Sequence, residues 1–190
     1  MTSPVLPFKD FKGTSLRWDQ PKIMVRHHEL KSGEDVYAAL KWMKTFGSLA
    51  EATTADGRYT LKRGGFVRPF VTVRDVAYDN EIAVLRIGLL GHGTIEFSNG
   101  RTITVLSTSF WSYAWDLVSE GGQLLCRIKK RVKIGTNSAD VTISKEVRKD
   151  RDLLVMIIAC WYAMVLMSDE AAALNASVAS NPALMGAVAV

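Results

Sequence analysis

The sequence contains few of the residues that mark secreted, disulfide-rich or zinc-binding proteins. Only two of its 190 residues are cysteines, Cys126 and Cys160, which are too few for a disulfide framework and do not have the spacing of a zinc site. The N-terminus, MTSPVLPFKDFKG, has no apolar run of signal-peptide length. We therefore expect both cysteines to be reduced and the protein to be cytoplasmic, either free or peripheral to a membrane.

The sequence also contains no familiar catalytic or nucleotide-binding motif: no G-x-S-x-G, no H-E-x-x-H and no P-loop. The glycine-rich GLLGHG, 88–93, is followed by the strand-like TIEFSNGRTITV, whereas a dinucleotide fingerprint must open a helix. His27, His28 and Glu29 are neighbours, and neighbours in a strand face opposite sides, so they cannot share one metal ion. We predict no catalytic residues, no metal and no cofactor.

Charge of either sign is not in large excess. Lys and Arg number 24 against 19 Asp and Glu, which gives a formal net charge of +5 and a pI of about 9.3. The composition, 48% hydrophobic and 23% charged, is ordinary for one globular domain and excludes a chain that is disordered throughout. A mildly basic protein is compatible with an anionic partner but does not require one.

What the sequence does contain is a long series of short alternating runs. From about residue 23 to residue 144, apolar and polar residues alternate between turn signals such as TADG and SNGR. Asp-Gly and Asn-Gly between such runs are strong hairpin signals. They predict eleven or twelve strands in an all-β sandwich or barrel. Residues 1–22 carry Pro4, Pro7 and Pro21 and are expected to form an irregular arm.

One hydrophobic run, LLVMIIACWYAMVLM, extends over fifteen residues from Leu153 to Met167 without a charge. As a helix it would cover about 22 Å, whereas the hydrocarbon core of a membrane is about 30 Å thick. The charged flanks, RKDRD and SDE, prevent its extension. A barrel of about a dozen strands is too wide for its own side chains to fill. We therefore favour a central core helix over 150–167 rather than a membrane segment, followed by a small-residue tail over 168–190.

The chain resembles the tubby C-terminal domain-like superfamily, most closely its LURP-one-related and phospholipid-scramblase-like branch. The resemblance is carried by LKWMKTFGSLAEATTADGRYTLKR, by the later NGRTITV hairpin and by the terminal LLVMIIACWYAMVLM. It covers roughly residues 23–167 and implies a mainly β fold, a closed barrel of about 12 strands around a central hydrophobic C-terminal helix. It also implies phospholipid binding, although neither a tubby lipid-binding motif nor the scramblase calcium segment maps onto this sequence.

The run RIKKRVK is the most suggestive polar feature. In a strand, four of its cations would share one face while Ile128 and Val132 point inward, and Lys130 would mark a bulge or a turn. One interpretation is a basic stripe for phosphate groups. The other is a solvated strand face that discourages aggregation. The candidate phosphate-binding cations of this run are Arg127, Lys129, Lys130, Arg131 and Lys133.

A smaller second patch contains Lys62, Arg63 and Arg68, which are also candidates for lipid or phosphate binding. We predict a non-enzymatic binding module that recognises anionic lipid headgroups at a membrane surface, with no transmembrane insertion and no nucleic acid. The alternative is a structural or protein-interaction domain with an unidentified protein partner. An enzyme that uses the barrel mouth is a third possibility.

Overall fold

The computed structural model describes residues 4–23, 25–45, 47–65, 68–88, 91–108, 114–131, 135–147 and 150–180. Twelve antiparallel strands form a closed barrel, in which each strand pairs with its neighbours in sequence and β1 pairs with β12. The predicted barrel of about 12 strands with a central C-terminal helix is therefore confirmed. The strands are β1 (Ser15–Asp19), β2 (His27–Ser32), β3 (Asp35–Trp42), β4 (Ala50–Thr54), β5 (Gly57–Gly64), β6 (Phe70–Asp75), β7 (Asn80–Ile87), β8 (Gly93–Phe97), β9 (Thr102–Ser107), β10 (Ala114–Ser119), β11 (Leu124–Arg131) and β12 (Ser138–Ile143).

Alternation of apolar and polar residues explains why these segments are strands with one face in the core. In β4 the burial of successive residues alternates between buried and half-buried, and in β9 Ile103 and Val105 are buried whereas Thr102 and Thr104 are half-buried. The Asn99-Gly100 turn joins β8 to β9 as predicted. Gly100 adopts a positive φ of 85°, which favours glycine, and the backbone N–H of Arg101 donates to Oδ1 of Asn99 at 3.0 Å.

The one α-helix among the described residues, α1 (Leu153–Ser180), runs through the centre of the barrel. Every residue of 153–166 is buried, as expected for a helix that is apolar on all sides. Each large apolar side chain that is removed from water here contributes about 1.5–3 kcal/mol. By length and composition the part up to Ser177 could also cross a membrane, but 78% of its most apolar window is buried inside the barrel.

The predicted irregular arm and tail both differ from the structure. Residues 15–19 form β1, whose Leu16 and Trp18 are buried, and a short 3₁₀ helix, Phe8–Asp10, precedes it. Without β1, the edges of β2 and β12 would be unpaired, so the arm closes the barrel. The helix begins at Leu153 and continues beyond 167 to Ser180, through part of the predicted tail.

The two ends of the barrel are distinct, and we name them the mouth and the base. Odd-numbered strands end at the mouth, and even-numbered strands end at the base. The helix enters at the base and leaves through the mouth. At the base, Arg101 holds the helix entrance, because its guanidinium donates to Asp150 at 2.5 and 2.8 Å and to Asp152 at 3.0 Å. The two cysteines, Cys126 and Cys160, are free and buried in the barrel core, and burial raises the pKa of each thiol.

Candidate functional site at the mouth of the barrel

The basic run lies on β11 with its predicted outward face. Arg127, Lys129 and Arg131 are exposed, and Ile128 between them is buried. The neighbouring strands supply acids to this face. Asp116 on β10 accepts two hydrogen bonds of 2.6 Å from Arg127, and Asp140 on β12 lies 3.3 Å from Arg131. The stripe is therefore partly neutralised along its length. Lys133 and the inward Val132 lie outside the described residues.

Lys130 faces the inside of the barrel, and the predicted bulge at this position is wrong. The register of β11 against β12 is continuous through Lys130, whereas the irregularity lies nearer the base, where Leu125 is the extra residue opposite β10. The ammonium of Lys130 donates to the hydroxyl of Ser168 on α1. Burial lowers the pKa of Lys130, and the attraction of Asp169 only partly offsets this effect.

The second predicted patch is divided by the strand geometry. Lys62 faces outward on β5, and Arg63 beside it faces the mouth. The guanidinium of Arg63 forms an ion pair with Glu170 on α1. Arg68 lies on the rim in a groove of about 940 Å³ that Arg86 also lines. The three cations therefore do not form one patch, and only Arg63 joins the interior of the mouth.

The mouth contains a cavity of about 710 Å³ between the barrel rim and the emerging helix. Arg26, immediately before β2, projects into it and forms an ion pair of 2.6 Å with Asp169. Arg26, Arg63 and Lys130 are far apart in sequence: they lie in the segment before β2, on β5 and on β11. They contact three successive residues of α1, 168–170. Sequence reasoning missed Arg26, because it stands alone between apolar residues and histidines.

Arg26 is held in place from several sides. Its guanidinium lies 4.7 Å from the centroid of the Trp42 ring, and Nη1 donates to the carbonyls of Thr45 and Gly47 at 3.2 Å. Such a guanidinium is oriented before any ligand arrives, because backbone carbonyls and an aromatic face restrict its rotamers. Its second terminal nitrogen, Nη2, donates to Asp169.

Aromatic side chains form the wall beneath these cations. Tyr162 of α1 stacks on Trp42 with ring centroids 5.4 Å apart. Its hydroxyl donates to the carbonyl of Ser48 and accepts a hydrogen bond of 3.0 Å from the backbone N–H of Arg63. Trp161 stacks on Trp18 at 6.0 Å. These contacts join the helix to β1, β3 and β5, on one side of the barrel, just below the cavity.

His28 lies between these aromatic rings and also lines the cavity. Its ring contacts Trp42 edge-on at 5.5 Å and Trp161 at 5.6 Å, and it is only 1% exposed. Burial, followed by repulsion from His27 and Arg26, lowers the pKa of His28 to about 3. The imidazole is therefore neutral at physiological pH. In the described part of the structure, its buried Nδ1 has no hydrogen-bond partner.

His27 and Glu29 face the outside of β2, where Nε2 of His27 lies 3.3 Å from Glu29, so the predicted separation from His28 is confirmed. The described residues contain no group of three His, Cys, Asp or Glu side chains that could hold a metal ion. The GLLGHG segment joins β7 to β8 rather than opening a helix, as predicted; Leu89 and Leu90 lie outside the described residues.

The six segments that join strands at the mouth share an unusual composition. They contain five Lys or Arg residues and no Asp or Glu, and each contains at least two large apolar residues. The five turns at the base contain four acids, one in each of four turns, and Arg101 as their one cation. The mouth segments are 20–26, 43–49, 65–69, 88–92, 108–113 and 132–137, and the base turns are 33–34, 55–56, 76–79, 98–101 and 120–123.

Exposed large apolar side chains also concentrate at the mouth. Eight such side chains are exposed in the described structure, and six of them are in mouth segments, at the mouth end of β9 or where α1 emerges. Ile23 is the most exposed of the six, at 64%. The remaining two are Tyr78 and Leu124, at the base end. The six are Ile23, Val25, Met43, Leu49, Leu106 and Met167.

Comparisons of the chain with models of known protein families, with curated proteins and with solved structures found no match. The resemblance to the tubby C-terminal domain-like superfamily therefore stays a prediction, and the function has to be argued from the mouth itself.

Proposed function

We propose that the chain is a non-enzymatic module that docks its mouth end on an anionic membrane surface. The observation that carries this proposal is the composition of the six mouth segments, which combine cations with large apolar residues and contain no acid. Cations attract anionic headgroups, and apolar side chains insert at the boundary between headgroups and acyl chains. Neither class of residue needs a catalytic partner for this role.

The magnitudes are sufficient for reversible binding. Three cations of the described mouth segments, each worth about 1 kcal/mol near an anionic leaflet, supply about 3 kcal/mol, which alone gives only millimolar affinity. Four exposed apolar side chains, if each contributes about 1 kcal/mol on partial insertion, bring the affinity into the micromolar range. Arg26 is not counted, because it is paired with Asp169. The cations are Lys22, Lys44 and Arg68, and the apolar side chains are Ile23, Val25, Met43 and Leu49.

Two further features favour approach by the mouth. The acidic turns at the base are repelled by an anionic surface, so the field of the whole molecule orients it with the mouth forward. The helix leaves through the mouth, and after Glu170 it carries no charge as far as Ser180. An uncharged helix rich in alanine can enter the membrane interface without the cost of burying a charge.

The outer wall of the barrel at β11, with its row of cations, is a second surface that competes for anionic headgroups. It carries more cations than the neighbouring acids neutralise, because Arg17, Arg127, Lys129 and Arg131 face two carboxylates, Asp116 and Asp140. On β11, however, Leu124 is the exposed large apolar side chain among the described residues, and it lies at the base end of the strand. A wall that attracts headgroups without inserting side chains binds more weakly and with greater sensitivity to salt.

The test is co-sedimentation with vesicles of mixed phosphatidylcholine and phosphatidylserine, compared with phosphatidylcholine alone. Two triple variants remove the same charge: Lys22→Gln, Lys44→Gln and Arg68→Gln at the mouth, and Arg17→Gln, Lys129→Gln and Arg131→Gln on the wall. We expect the mouth variant to lose binding to the mixed vesicles and the wall variant to keep most of it, with unchanged thermal unfolding of the mouth variant.

Wild-type protein that binds neither kind of vesicle would overturn the proposal and favour the protein-interaction alternative, in which the apolar mouth contacts another protein. Loss of binding in the wall variant alone would move the site from the mouth to β11.

A further inference from the structure

Two carboxylates already occupy the cationic mouth. Asp169 and Glu170 lie on α1 where it leaves the barrel, and they form ion pairs with Arg26 and Arg63. No acid is present in the mouth segments, so among the described residues of the cavity wall the negative charge comes from the helix alone. The helix end thus places anionic groups where an anionic ligand would bind.

The cavity contains more hydrogen-bonding groups than these ion pairs use. Gln20, Ser48 and Asn137 line it beside the two arginines. His28 is a further polar residue of the same wall. Its Nδ1 is buried without a hydrogen-bond partner in the described part of the structure, and such an atom destabilises the fold unless a shift of the ring or a bound molecule completes its hydrogen bonding.

We infer that the mouth cavity is a binding site for a phosphate-bearing group, and that Asp169 and Glu170 are internal substitutes which this group displaces from Arg26 and Arg63. The inference rests on the proposed function where the phosphate is a lipid headgroup at the docked membrane. A free phosphate ester has the same chemistry and would enter the same cavity.

Phosphate suits this arrangement better than a single carboxylate. It offers three oxygens, and arginine contacts phosphate through two parallel N–H donors. Two arginines that face one cavity therefore match one phosphate, whereas the helix needs two carboxylates to engage them. The neutral His28 makes the cavity wall polar without adding charge.

When a phosphate group replaces Asp169, the end of the helix moves and Arg26 keeps its position. Arg26 is fixed by Trp42 and by the carbonyls of Thr45 and Gly47, so its position is independent of Asp169. Asp169 is partly exposed, and burial of the rest of the side chain raises its pKa more than Arg26 and Lys130 lower it. Displacement would return this carboxylate to water, and the helix beyond 167 lies outside the ring of strands that surrounds 153–166.

The first arm of the test titrates sn-glycerol 3-phosphate, a soluble form of the simplest phospholipid headgroup, into the full chain and follows binding by calorimetry. The variant Asp169→Asn with Glu170→Gln removes the internal substitutes. Its matched control, Glu34→Gln with Asp56→Asn, removes the same charge from the base turns. We expect the helix variant to bind about tenfold more tightly than wild type, equivalent to about 1.4 kcal/mol shared between the two exchanged ion pairs, and the control to bind like wild type.

The second arm removes the receiving cations with Arg26→Gln and Arg63→Gln, which should abolish binding of glycerol 3-phosphate in the wild-type and the helix-variant backgrounds. Equal affinity of the helix variant and the base control would overturn the inference, as would binding that survives loss of both arginines. If the arginine variant does not fold, the comparison of the helix variant with the base control decides alone.

Vesicle binding separates this inference from the proposed function. If the protein binds anionic vesicles but the helix variant binds glycerol 3-phosphate no more tightly than wild type, the mouth docks on the membrane without a phosphate-binding cavity. Protein that shows the exchange with glycerol 3-phosphate but ignores phosphatidic acid vesicles uses the cavity for a free phosphate ester, and membrane docking is then wrong.

Discussion

The mouth and the base of this barrel are built on the same twelve strands, but their connections differ in length as well as in charge. Base turns contain two to four residues, and mouth segments contain five to seven. A tight hairpin turn restricts its residues to those that tolerate its dihedral angles, so glycine, aspartate and asparagine dominate there. Longer segments are free of that restriction, and binding residues concentrate in such loops on a rigid scaffold.

The two ends of the barrel also differ in the ion pairs that they form with the helix. At the base, Arg101 engages both Asp150 and Asp152 in a partly buried cluster that fixes the helix entrance. At the mouth, Arg26 and Arg63 engage acids that lie on the emerging helix, with side chains 43% and 50% exposed. The base pairs therefore stabilise the fold, whereas the mouth pairs can be exchanged for a ligand at lower cost.

The largest expected effect is unfolding of the whole barrel, which would abolish both the mouth and the base. Ile158→Asp would place an unpaired charge at a fully enclosed position of the helix, which is 1% exposed between the two ends. Because an isolated carboxylate cannot be solvated there, we expect loss of folding, with a cost above about 4 kcal/mol. Circular dichroism and thermal unfolding measure it. A variant that melts near wild type would show that the helix does not form the core.

The next effect separates stability from binding. Arg101→Gln leaves Asp150, 15% exposed, without its cation, and should lower the free energy of unfolding by about 2 kcal/mol while vesicle binding persists. Arg74→Gln is the matched control at the same end, because its partner Asp79 is 92% exposed and the pair contributes little. Urea unfolding measures both. Similar losses in the two variants would mean that the base cluster has no special role.

A smaller effect concerns apolar contact with the membrane. Ile23→Ser and Met43→Ser remove exposed apolar side chains at the mouth, and each should weaken binding to anionic vesicles up to about tenfold. Tyr78→Ser removes an even more exposed side chain at the base, and we expect no change. Titration of vesicles at high salt makes the comparison sharper, because salt screens the cations but not apolar insertion. Equal losses in all three variants would contradict docking by the mouth.

The smallest effect concerns the pKa values of Asp169 at the mouth and Asp150 at the base, which are shifted in opposite directions. Burial raises the pKa of Asp169 at the mouth. At the base, burial would also raise the pKa of Asp150, but hydrogen bonds from Arg101 and from the backbone of Asp152 outweigh it and lower the pKa. Asp150 therefore stabilises the fold above the ordinary carboxyl pKa, and this contribution is lost as the pH falls below that value.

Asp169 behaves in the opposite way: its ionised form costs stability at neutral pH, and the cost disappears as the pH falls through its raised pKa. Carboxyl carbon NMR titration of both aspartates measures the two shifts. The same sign at both ends would remove the electrostatic distinction between mouth and base.

Much of the fold could be predicted from local patterns. Alternation predicted the strands, Asn-Gly and Asp-Gly predicted hairpins, and the uncharged run of 153–167 predicted a buried helix, because each signal lies within a few neighbouring residues. β1 was missed because its five residues follow a proline-containing segment, and only the unpaired edges of β2 and β12 show that a strand is needed there.

The candidate site could not be predicted in the same way. The outward face of Arg127, Lys129 and Arg131 follows from strand periodicity, but their acidic neighbours are on other strands, brought there by register. Arg26 and Arg63 are separated by thirty-six residues in sequence, and they share a cavity only because the barrel closes and the helix emerges between them. Periodicity is a property of neighbours along the chain and determines which side of a strand a residue faces. Which residues meet across the mouth depends on strand order, register and closure, and these are set by packing around the central helix.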